Sequence, residues 1–239
     1  MRLDKYLVDM GMGARSDIKK NIKGGRVQVG GTVIKDPGYH IKDDEQVVYC
    51  GEIIAYEEFE YYMINKPGGV ISATEDKKQT TVVELINERK RKDLFPVGRL
   101  DKDTEGLLLI TNDGELAHRL LSPKKHVDKV YYAEIEGKVT DEDVQKFKDG
   151  IQIDEEFTAL PAELVILESG DISKIEVTIR EGKFHQIKRM FKAVDKEVVY
   201  LKRLSMGTLK LDSELELGEY RKLTDDELAE LMEISKLDR

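Results

Sequence analysis

Two aspartates, Asp101 and Asp103, lie in a polar stretch that runs directly into four large aliphatic residues at 107–110. The aliphatic run is followed by Asn-Asp-Gly, which predicts a buried strand that ends in a turn. A carboxylate at the rim of a core strand is unfavourable unless it is paired or used. Because a carboxylate can act as a nucleophile, the stretch is a candidate catalytic loop. The alternative is a solvated loop whose aspartates cap helices.

Two further segments carry side chains that could take part in catalysis or substrate binding. Residues 130–136 alternate as a half-buried strand, so Tyr131 and Tyr132 must face opposite sides of it. Residues 183–192 follow a predicted strand at 174–180, and their spacing predicts a helix with an apolar and a basic face. The apolar face is expected to comprise Phe184, Ile187, Met190 and Phe191, and the basic face Lys188 and Lys192, with Arg189 beside them.

The composition argues against several kinds of site. Cys50 is the only cysteine, so the chain has neither a disulfide framework nor a thiolate metal cluster, and its four histidines lack metal-ligand spacing. There is no glycine-rich dinucleotide loop, no 18-residue apolar run and no apolar leader segment. We therefore expect no metal and no cofactor, and a soluble protein of the cytoplasm.

The charge is distributed unevenly along the chain. The whole chain has 39 lysines and arginines against 48 acidic residues, a net charge of −9, which argues against nonspecific coating of nucleic acid. Residues 1–35 nevertheless contain eight basic and three acidic residues. Because Arg15, Lys19 and Lys23 are spaced four apart, they are expected to line one face of a helix. That face either contacts an anionic partner or is ordinary solvated surface.

The elements of the N-terminal segment follow from apolar spacing and glycine positions. Leu3, Tyr6, Leu7 and Met10 predict a first helix, and Ser16 is the expected cap of a second helix that ends at Gly24-Gly25. A hairpin with a turn at Gly30-Gly31 and a strand at 46–49 are expected next. We place a domain boundary near Tyr56, giving domains 1–57 and 58–239.

The larger domain is predicted to mix strands and helices. Strands are expected at 59–65, 164–167, 198–204 and 209–211. Helices are expected after caps at Thr80 or Thr81, Asn112, Thr140 and Thr224, the last with Glu227 as a capping box. The first of these helices would end in the basic cluster 89–92, which suits either a helix C-terminus or RNA contact.

The N-terminal segment resembles a known RNA-binding domain. The stretches Arg2-Leu3-Asp4-x-Tyr6-Leu7, Ala14-Arg15-Ser16 and Ile22-Lys23-Gly24-Gly25-Arg26-Val27 make residues 1–50 similar to the S-four-type domain. The resemblance implies a basic helical face that contacts RNA phosphates, which position a protein without reading sequence. The implied contact residues are Arg2, Arg15, Lys19, Lys23 and Arg26.

Three separated motifs make the larger domain resemble the RsuA-type pseudouridine synthases. They are Gly98-Arg99-Leu100-Asp101-x-Asp103-Thr104-x-Gly106-Leu107, then Lys129-Val130-Tyr131, then residues 181–191. The family implies an α+β protein, in which a small α/β RNA-binding module precedes a catalytic domain with a mixed, mainly antiparallel sheet flanked by helices.

The resemblance also assigns roles to individual residues. It implies Asp101 as the catalytic nucleophile, Lys188 as the cation beside it and Tyr131 as the ring that stacks on the target uracil. Asp103 is left as a structural hydrogen-bonding residue. Substrate contacts are expected from Arg99, Lys183 and Arg189, and a phosphate-binding rim from Lys124, Lys125, Lys183, Lys192 and Lys202.

The activity implied is the isomerisation of a uridine in ribosomal RNA, or in an assembly intermediate, by a monomeric enzyme without a membrane partner. The wording of the third motif is closest to the small-subunit 16S branch, and the large-subunit 23S branch is the first alternative. A non-catalytic RNA-binding assembly factor is the second alternative. A metal-dependent phosphoesterase that uses Asp101, Asp103 and Asp113 is the third.

Overall fold

The computed structural model describes residues 1–42, 44–122, 125–155 and 157–236. The chain divides into two compact units. The first unit comprises Met1–Glu60 and Asn87–Leu94, and the second comprises Tyr61–Ile86 and Phe95–Arg239. No helix among the described residues is long and apolar enough to cross a bilayer.

The first unit packs two helices against a four-stranded antiparallel sheet of order β2-β1-β3-β4. The predicted helices and the two-glycine hairpin are confirmed, and the four apolar residues whose spacing predicted the first helix are buried. Ser16 as a cap is wrong, because Ala14 occupies the N-cap and Ser16 lies inside the second helix. The elements are α1 (Leu3–Asp9), α2 (Arg15–Lys23), β1 (Val27–Val29), β2 (Thr32–Val33), β3 (Val47–Tyr49) and β4 (Glu52–Ile54).

The segment Asn87–Leu94 packs with the first unit, although the sequence pattern assigned it to the larger domain. Arg91 is buried, and its guanidinium donates two hydrogen bonds to the Asp93 carboxylate at 2.9 and 2.7 Å. It also lies 3.8 Å from a carboxylate oxygen of Asp9. The backbone N–H of Arg91 donates to Glu60 at 2.8 Å. Arg91 is therefore a structural cation of this unit and does not present its charge to solvent.

The helix expected after Thr80 or Thr81 is wrong. Residues 82–85 form a turn, even though the Thr81 and Glu84 side chains exchange the two hydrogen bonds of a capping box, at 2.7 and 3.4 Å. Val82, Val83 and Ile86 are buried at the turn. Tertiary burial of this short apolar segment has overridden its helical spacing.

The second unit is built on a nine-stranded sheet whose main path is β13-β5-β7-β11-β8-β10-β9, with β6 and β12 paired at its side. All described strand pairs are antiparallel except the parallel pair of β7 and β11, so the expected mixed, mainly antiparallel sheet is confirmed. The strands are β5 (Tyr61–Lys66), β6 (Phe95–Pro96), β7 (Glu105–Thr111), β8 (Lys129–Glu136), β9 (Glu163–Glu168), β10 (Ile172–Ile179), β11 (Glu197–Met206), β12 (Leu209–Lys210) and β13 (Tyr220–Lys222).

Helices of this unit begin mostly where the capping patterns predict. Thr140 forms a capping box with Asp143, and Thr224 exchanges hydrogen bonds with Glu227 at 2.9 and 3.2 Å. Asn112 as a cap is wrong, because the Asp113 carboxylate accepts the Leu116 N–H at 2.9 Å. The helices are α3 (Gly114–Leu121), α4 (Asp141–Asp149), α5 (Gln186–Lys192) and α6 (Asp225–Lys236).

Strand β7 is the central support of the loop that carries Asp101. It pairs with β5 on one side and β11 on the other, and the aliphatic run 107–110 is fully buried, as predicted. Gly106 has a φ of +98° and lies against Arg203 of β11. A Cβ at Gly106 would collide with the Arg203 carbonyl oxygen and lie 2.8 Å from its backbone nitrogen. The parallel strand pair therefore requires glycine at this position.

Candidate active site

Asp101 lies in the loop between β6 and β7, and Ser72 holds the residue before it. The Ser72 hydroxyl donates to the Leu100 carbonyl at 2.8 Å and accepts the Leu100 N–H at 3.0 Å. Ser72 is buried, so both bonds are shielded from water. One serine thus satisfies both backbone groups of the residue adjoining Asp101.

Lys66 holds the other side of the loop. Its ammonium group is fully buried and donates to the carbonyls of Pro67, Lys102 and Thr104 at 3.0, 3.2 and 2.8 Å. Burial lowers the pKa of Lys66 to about 8, and the nearby carboxylates, Asp103 foremost, act in the opposite direction. No sequence motif pointed to Lys66, although a lysine that ends an apolar strand and precedes Pro-Gly-Gly is an unusual signal.

The Asp101 carboxylate is partly exposed and faces two basic side chains. Lys188 Nζ lies 3.4 Å from Oδ2, and His185 Nε2 lies 3.5 Å from Oδ1. The side chain of Asp101 is 23% exposed, which leaves an oxygen accessible to a substrate. The structure thus brings Lys188 beside Asp101 across 87 residues of sequence, and it adds His185, to which the sequence patterns assigned no role.

Lys188 bonds more closely to Asp103 than to Asp101. Its ammonium donates to both carboxylate oxygens of Asp103, at 2.6 and 2.8 Å. This hydrogen bond holds the pKa of Asp103 below its usual range, while partial desolvation opposes the effect. Asp103 therefore fixes Lys188 between two carboxylates, and Asp101 keeps the looser contact.

Tyr131 lines a narrow slot together with Asp101. The residues of β8 alternate, and Tyr131 is buried on the face that also carries Lys129. Tyr132 lies on the opposite face, where its hydroxyl donates to Glu134 at 3.1 Å and its ring packs on Tyr200. Only one tyrosine of the pair therefore faces the slot, as strand geometry predicts. The slot is lined by Arg99, Leu100, Asp101, Thr104, Tyr131, Ile179, Gly182, Lys183, His185, Gln186, Ile187, Lys188 and Leu201.

A larger cleft of about 780 Å³ adjoins the slot. The two share several lining residues, including Arg99, Asp101, Lys183 and His185. Arg99 and Lys183 are exposed, so both expected substrate contacts stand at the mouth of the site. Positive charge at the entrance suits an anionic substrate.

Other predicted contact residues of the second unit lie elsewhere. Arg189 pairs with Asp154 and lines neither the slot nor the larger cleft. Lys192 lines a separate cleft beside Asp195, and Lys202 lines one beside Leu204. Lys124 lies outside the described residues. The roles of these residues in substrate binding stay predictions.

The basic residues of the first unit divide into paired and unpaired groups. Arg2 donates two hydrogen bonds of 3.0 Å to buried Asp4, and Arg15 lies 3.6 Å from the same carboxylate. The Arg2 hydrogen bonds hold the pKa of Asp4 below its usual range, against the effect of burial. Lys19 and Lys23 are exposed on α2, and in the described part of the chain no carboxylate forms an ion pair with either.

Arg26 is exposed, and its guanidinium donates to Asn21 at 3.4 Å. The freely exposed charge of the module therefore centres on α2.

The described residues contain no group of three or more His, Cys, Asp or Glu side chains that could hold a metal ion. Asp113, one of the three carboxylates of the phosphoesterase alternative, caps α3 and accepts the Tyr61 hydroxyl at 2.9 Å. Its carboxylate oxygens are thus already used in the fold.

Comparison with known proteins agrees with both resemblances. The family model described as RNA pseudouridylate synthase matches residues 60–193, and the S4 domain model matches residues 1–47. An RNA pseudouridine synthase of Bacillus subtilis, YtzG, is 51% identical over 232 residues, which cover 95% of this chain and 97% of the relative. Ribosomal small subunit pseudouridine synthase A of Escherichia coli K12 is 36% identical over 234 residues, covering 97% and 100%.

A solved structure described as a pseudouridylate synthase superposes with a TM-score of 0.68 at 35% identity, covering 97% of this chain and 99% of that one. The predicted RsuA-type resemblance and the α+β fold class are therefore confirmed. The chain belongs to the RNA pseudouridylate synthase family and carries an S4 domain at its N-terminal end.

Proposed function

We propose that this protein isomerises a uridine of 16S ribosomal RNA to pseudouridine, with Asp101 as the catalytic nucleophile. The observation that carries the proposal is the slot in which the partly exposed Asp101 carboxylate faces Lys188 and shares a wall with Tyr131. The similarity of the chain to relatives named ribosomal small subunit pseudouridine synthase A supports small-subunit rRNA as the substrate.

The reaction is balanced without an added reagent. The bond between uracil N1 and ribose C1′ breaks, the base turns, and a bond forms between C5 and C1′, with the C5 hydrogen replaced by one at N1. No atom and no electron is gained or lost overall, so a redox cofactor has no part in it. Asp101 supplies the anionic nucleophile, which attacks either ribose or the uracil ring.

Lys188 is the cation beside the Asp101 carboxylate in this slot. Its Nζ lies 3.4 Å from Oδ2, so its positive charge attracts the anionic nucleophile and helps to hold it in position. Asp103 holds Lys188 in place, which spares Asp101 the tighter ion pair that would reduce its nucleophilicity. The two aspartates thus have different roles.

Tyr131 and Arg99 serve the substrate uridine. A uridine must leave its stack before it can enter the slot, at a cost of a few kcal/mol. The buried ring of Tyr131 offers a flat face for the uracil, and exposed Arg99 at the mouth fills the space that the base leaves. Exposed Lys19 and Lys23 of α2 anchor flanking RNA through its phosphates. Such an enzyme acts as a monomer in the cytoplasm, where ribosomal subunits assemble.

The test uses 16S and 23S transcripts labelled with tritium at carbon five of uridine. Wild type is expected to release tritium from the 16S transcript, alone or bound by small-subunit proteins. Asp101→Asn is expected to release none above background, whereas the matched neighbour Asp103→Asn retains measurable release. Equal release by Asp101→Asn would overturn the nucleophile assignment.

The other outcomes separate the alternatives. Release from 23S alone would move the substrate to the large subunit. Tight binding to rRNA without any release would favour the assembly factor. Sequencing of pseudouridines in rRNA from cells with and without the protein would then locate the modified uridine.

A further inference from the structure

Phe184 is the most exposed large apolar side chain among the described residues, at 76% of its full accessible surface. The helical pattern predicted that it would share the buried face of Ile187, Met190 and Phe191. Those three are buried, but Phe184 precedes α5 and lies on the wall of the larger cleft beside Asp101. Because this exposed aromatic ring lines a cleft, it is available to contact a ligand there.

The turn that carries Phe184 is held firmly. Buried Gln186 accepts the Lys183 N–H at 3.0 Å and donates to the Glu181 carboxylate at 2.8 Å. Glu181 in turn accepts the Leu160 N–H at 2.8 Å. The ring is therefore displayed by a fixed turn, and its exposure is not that of a loose loop.

His185 backs the Phe184 ring and ties it to the reaction centre. The two rings stack at a centroid distance of 3.8 Å with an angle of 18° between their planes. His185 has a left-handed backbone, with φ 49° and ψ 33°, which is unusual for a residue other than glycine. Its Nε2 lies 3.5 Å from Asp101 Oδ1. The imidazole thus stacks on the Phe184 ring, and Phe184 is still 76% exposed.

We propose that Phe184, backed by His185, is a stacking platform for a nucleobase that neighbours the target uridine. The inference rests on the proposed function, because it requires RNA in the cleft. Every nucleobase has a π face, and stacking on an exposed aromatic ring is a common way to bind unpaired bases. Arg99 and Lys183 line the same cleft and are placed to meet the phosphates of such a nucleotide.

Phe184 and Tyr131 thus have separate tasks. Tyr131 is buried in the narrow slot with Asp101. In the proposed reaction this slot receives the flipped target uracil. Phe184 is too exposed to enclose a reacting base, and its cleft is open to the next nucleotide of the strand. Loss of Phe184 should therefore weaken RNA binding and leave the chemical step intact.

The experiment compares wild type, Phe184→Ala, Phe184→Tyr and Leu167→Ala by tritium release from the labelled 16S transcript. Leu167 is the matched control, because it is 53% exposed on β9 and lines neither the slot nor the larger cleft. Phe184→Ala is expected to raise KM roughly tenfold or more, with kcat within about twofold of wild type. Phe184→Tyr and Leu167→Ala are expected to keep the wild-type KM.

A second measurement places the platform beside the uridine. An RNA stem-loop around the mapped uridine is made with an abasic nucleotide on either side of it. At one of these positions the abasic change should raise the wild-type KM as much as Phe184→Ala does, and the combination should raise it no further. Fully additive effects at both positions would overturn the platform.

The outcomes also separate this inference from the proposed function. An unchanged KM in Phe184→Ala, or a fall in kcat alone, would overturn the platform while wild-type release upholds the function. Absence of release by wild type would refute the proposed function. Binding of a fluorescein-labelled oligouridine would then decide the platform by itself, since Phe184→Ala must bind it more weakly than wild type and Leu167→Ala.

Discussion

Replacement of Lys66 by methionine should uncouple activity from stability. The variant keeps a long side chain in the buried site but removes the ammonium that bonds the carbonyls of Pro67, Lys102 and Thr104. Two of those carbonyls belong to the loop that carries Asp101. The loop therefore loses its support on the β5 side, while the core residues of β7 keep their packing.

The effect on the free energy of unfolding is the difference of two similar quantities. Three lost hydrogen bonds from a charged donor cost about 4.5 kcal/mol at roughly 1.5 kcal/mol each. Holding the Lys66 ammonium charged in the interior also has a cost. A pKa of Lys66 lowered from 10.5 to about 8 means that the buried charge destabilises the folded protein by about 3 kcal/mol at pH 7. The methionine variant carries no charge and does not have this cost. We expect the free energy of unfolding of Lys66→Met to lie within about 2 kcal/mol of the wild-type value.

Catalysis has no such compensation. A displacement of the reacting group by about 1 Å can lower a rate by about 100-fold, and Lys66→Met should lower kcat by about that much. The assays are urea denaturation at pH 7 and tritium release from the labelled transcript. A kcat within twofold of wild type would refute the role of Lys66 in positioning the loop. A loss of stability well beyond about 4 kcal/mol would refute the cancellation of the two costs.

The pH dependence of stability gives an independent check with a defined sign. Because the pKa of Lys66 is lower in the folded protein, the unfolded chain binds more protons between about pH 8 and 10.5. The cost of the buried ammonium is fully present below about pH 8, so stability should rise with pH above it. Burial also lowers the pKa of Lys129 to about 8. The Lys129 ammonium donates to the Val127 carbonyl and not to a carbonyl of the loop that carries Asp101. Lys66→Met and Lys129→Met should each remove about half of the rise between pH 8 and 9.5, and a rise that neither variant alters would contradict the assignment.

Two further outcomes follow from the backbone and the basic module. Gly106→Ala should lower the free energy of unfolding by more than about 3 kcal/mol in urea denaturation, because the added Cβ would collide with Arg203 and the φ of +98° is strained for alanine. Gly114→Ala is the control and should change stability little, because no atom lies within 4 Å of the Cβ that it adds. Equal effects of the two substitutions would contradict the close strand contact. Replacement of Lys19 and Lys23 by alanine should weaken binding of the 16S transcript and make the slope of log K against log salt concentration shallower by about 1.5. An unchanged slope would remove α2 from the RNA interface.

Features that depend on neighbours along the chain could be predicted from the amino-acid sequence alone. The buried run at 107–110, the apolar positions of α1 and the caps at Thr140 and Thr224 were all predicted correctly. Periodicity and capping act over a few residues, so they can be read without knowledge of the fold. The motifs also identified the family and named Asp101, Tyr131 and Lys188, which the fold brings to one slot or its wall.

The contacts between residues that are distant in sequence could not be predicted, because they depend on how the whole chain packs. Lys66 and Ser72 lie about 30 residues before Asp101 in the sequence, yet their side chains bond the backbone on either side of it, at Lys102 and Leu100. The helical spacing of residues 184–191 placed Phe184 on one apolar face with Ile187, Met190 and Phe191, but Phe184 lies in a turn fixed by Gln186 and is exposed at the cleft. Burial likewise overrode the helical signal at residues 82–85. Local propensities amount to less than about 1 kcal/mol per residue, whereas burial of a side chain or a charge contributes several times more, so long-range packing prevails wherever the two disagree.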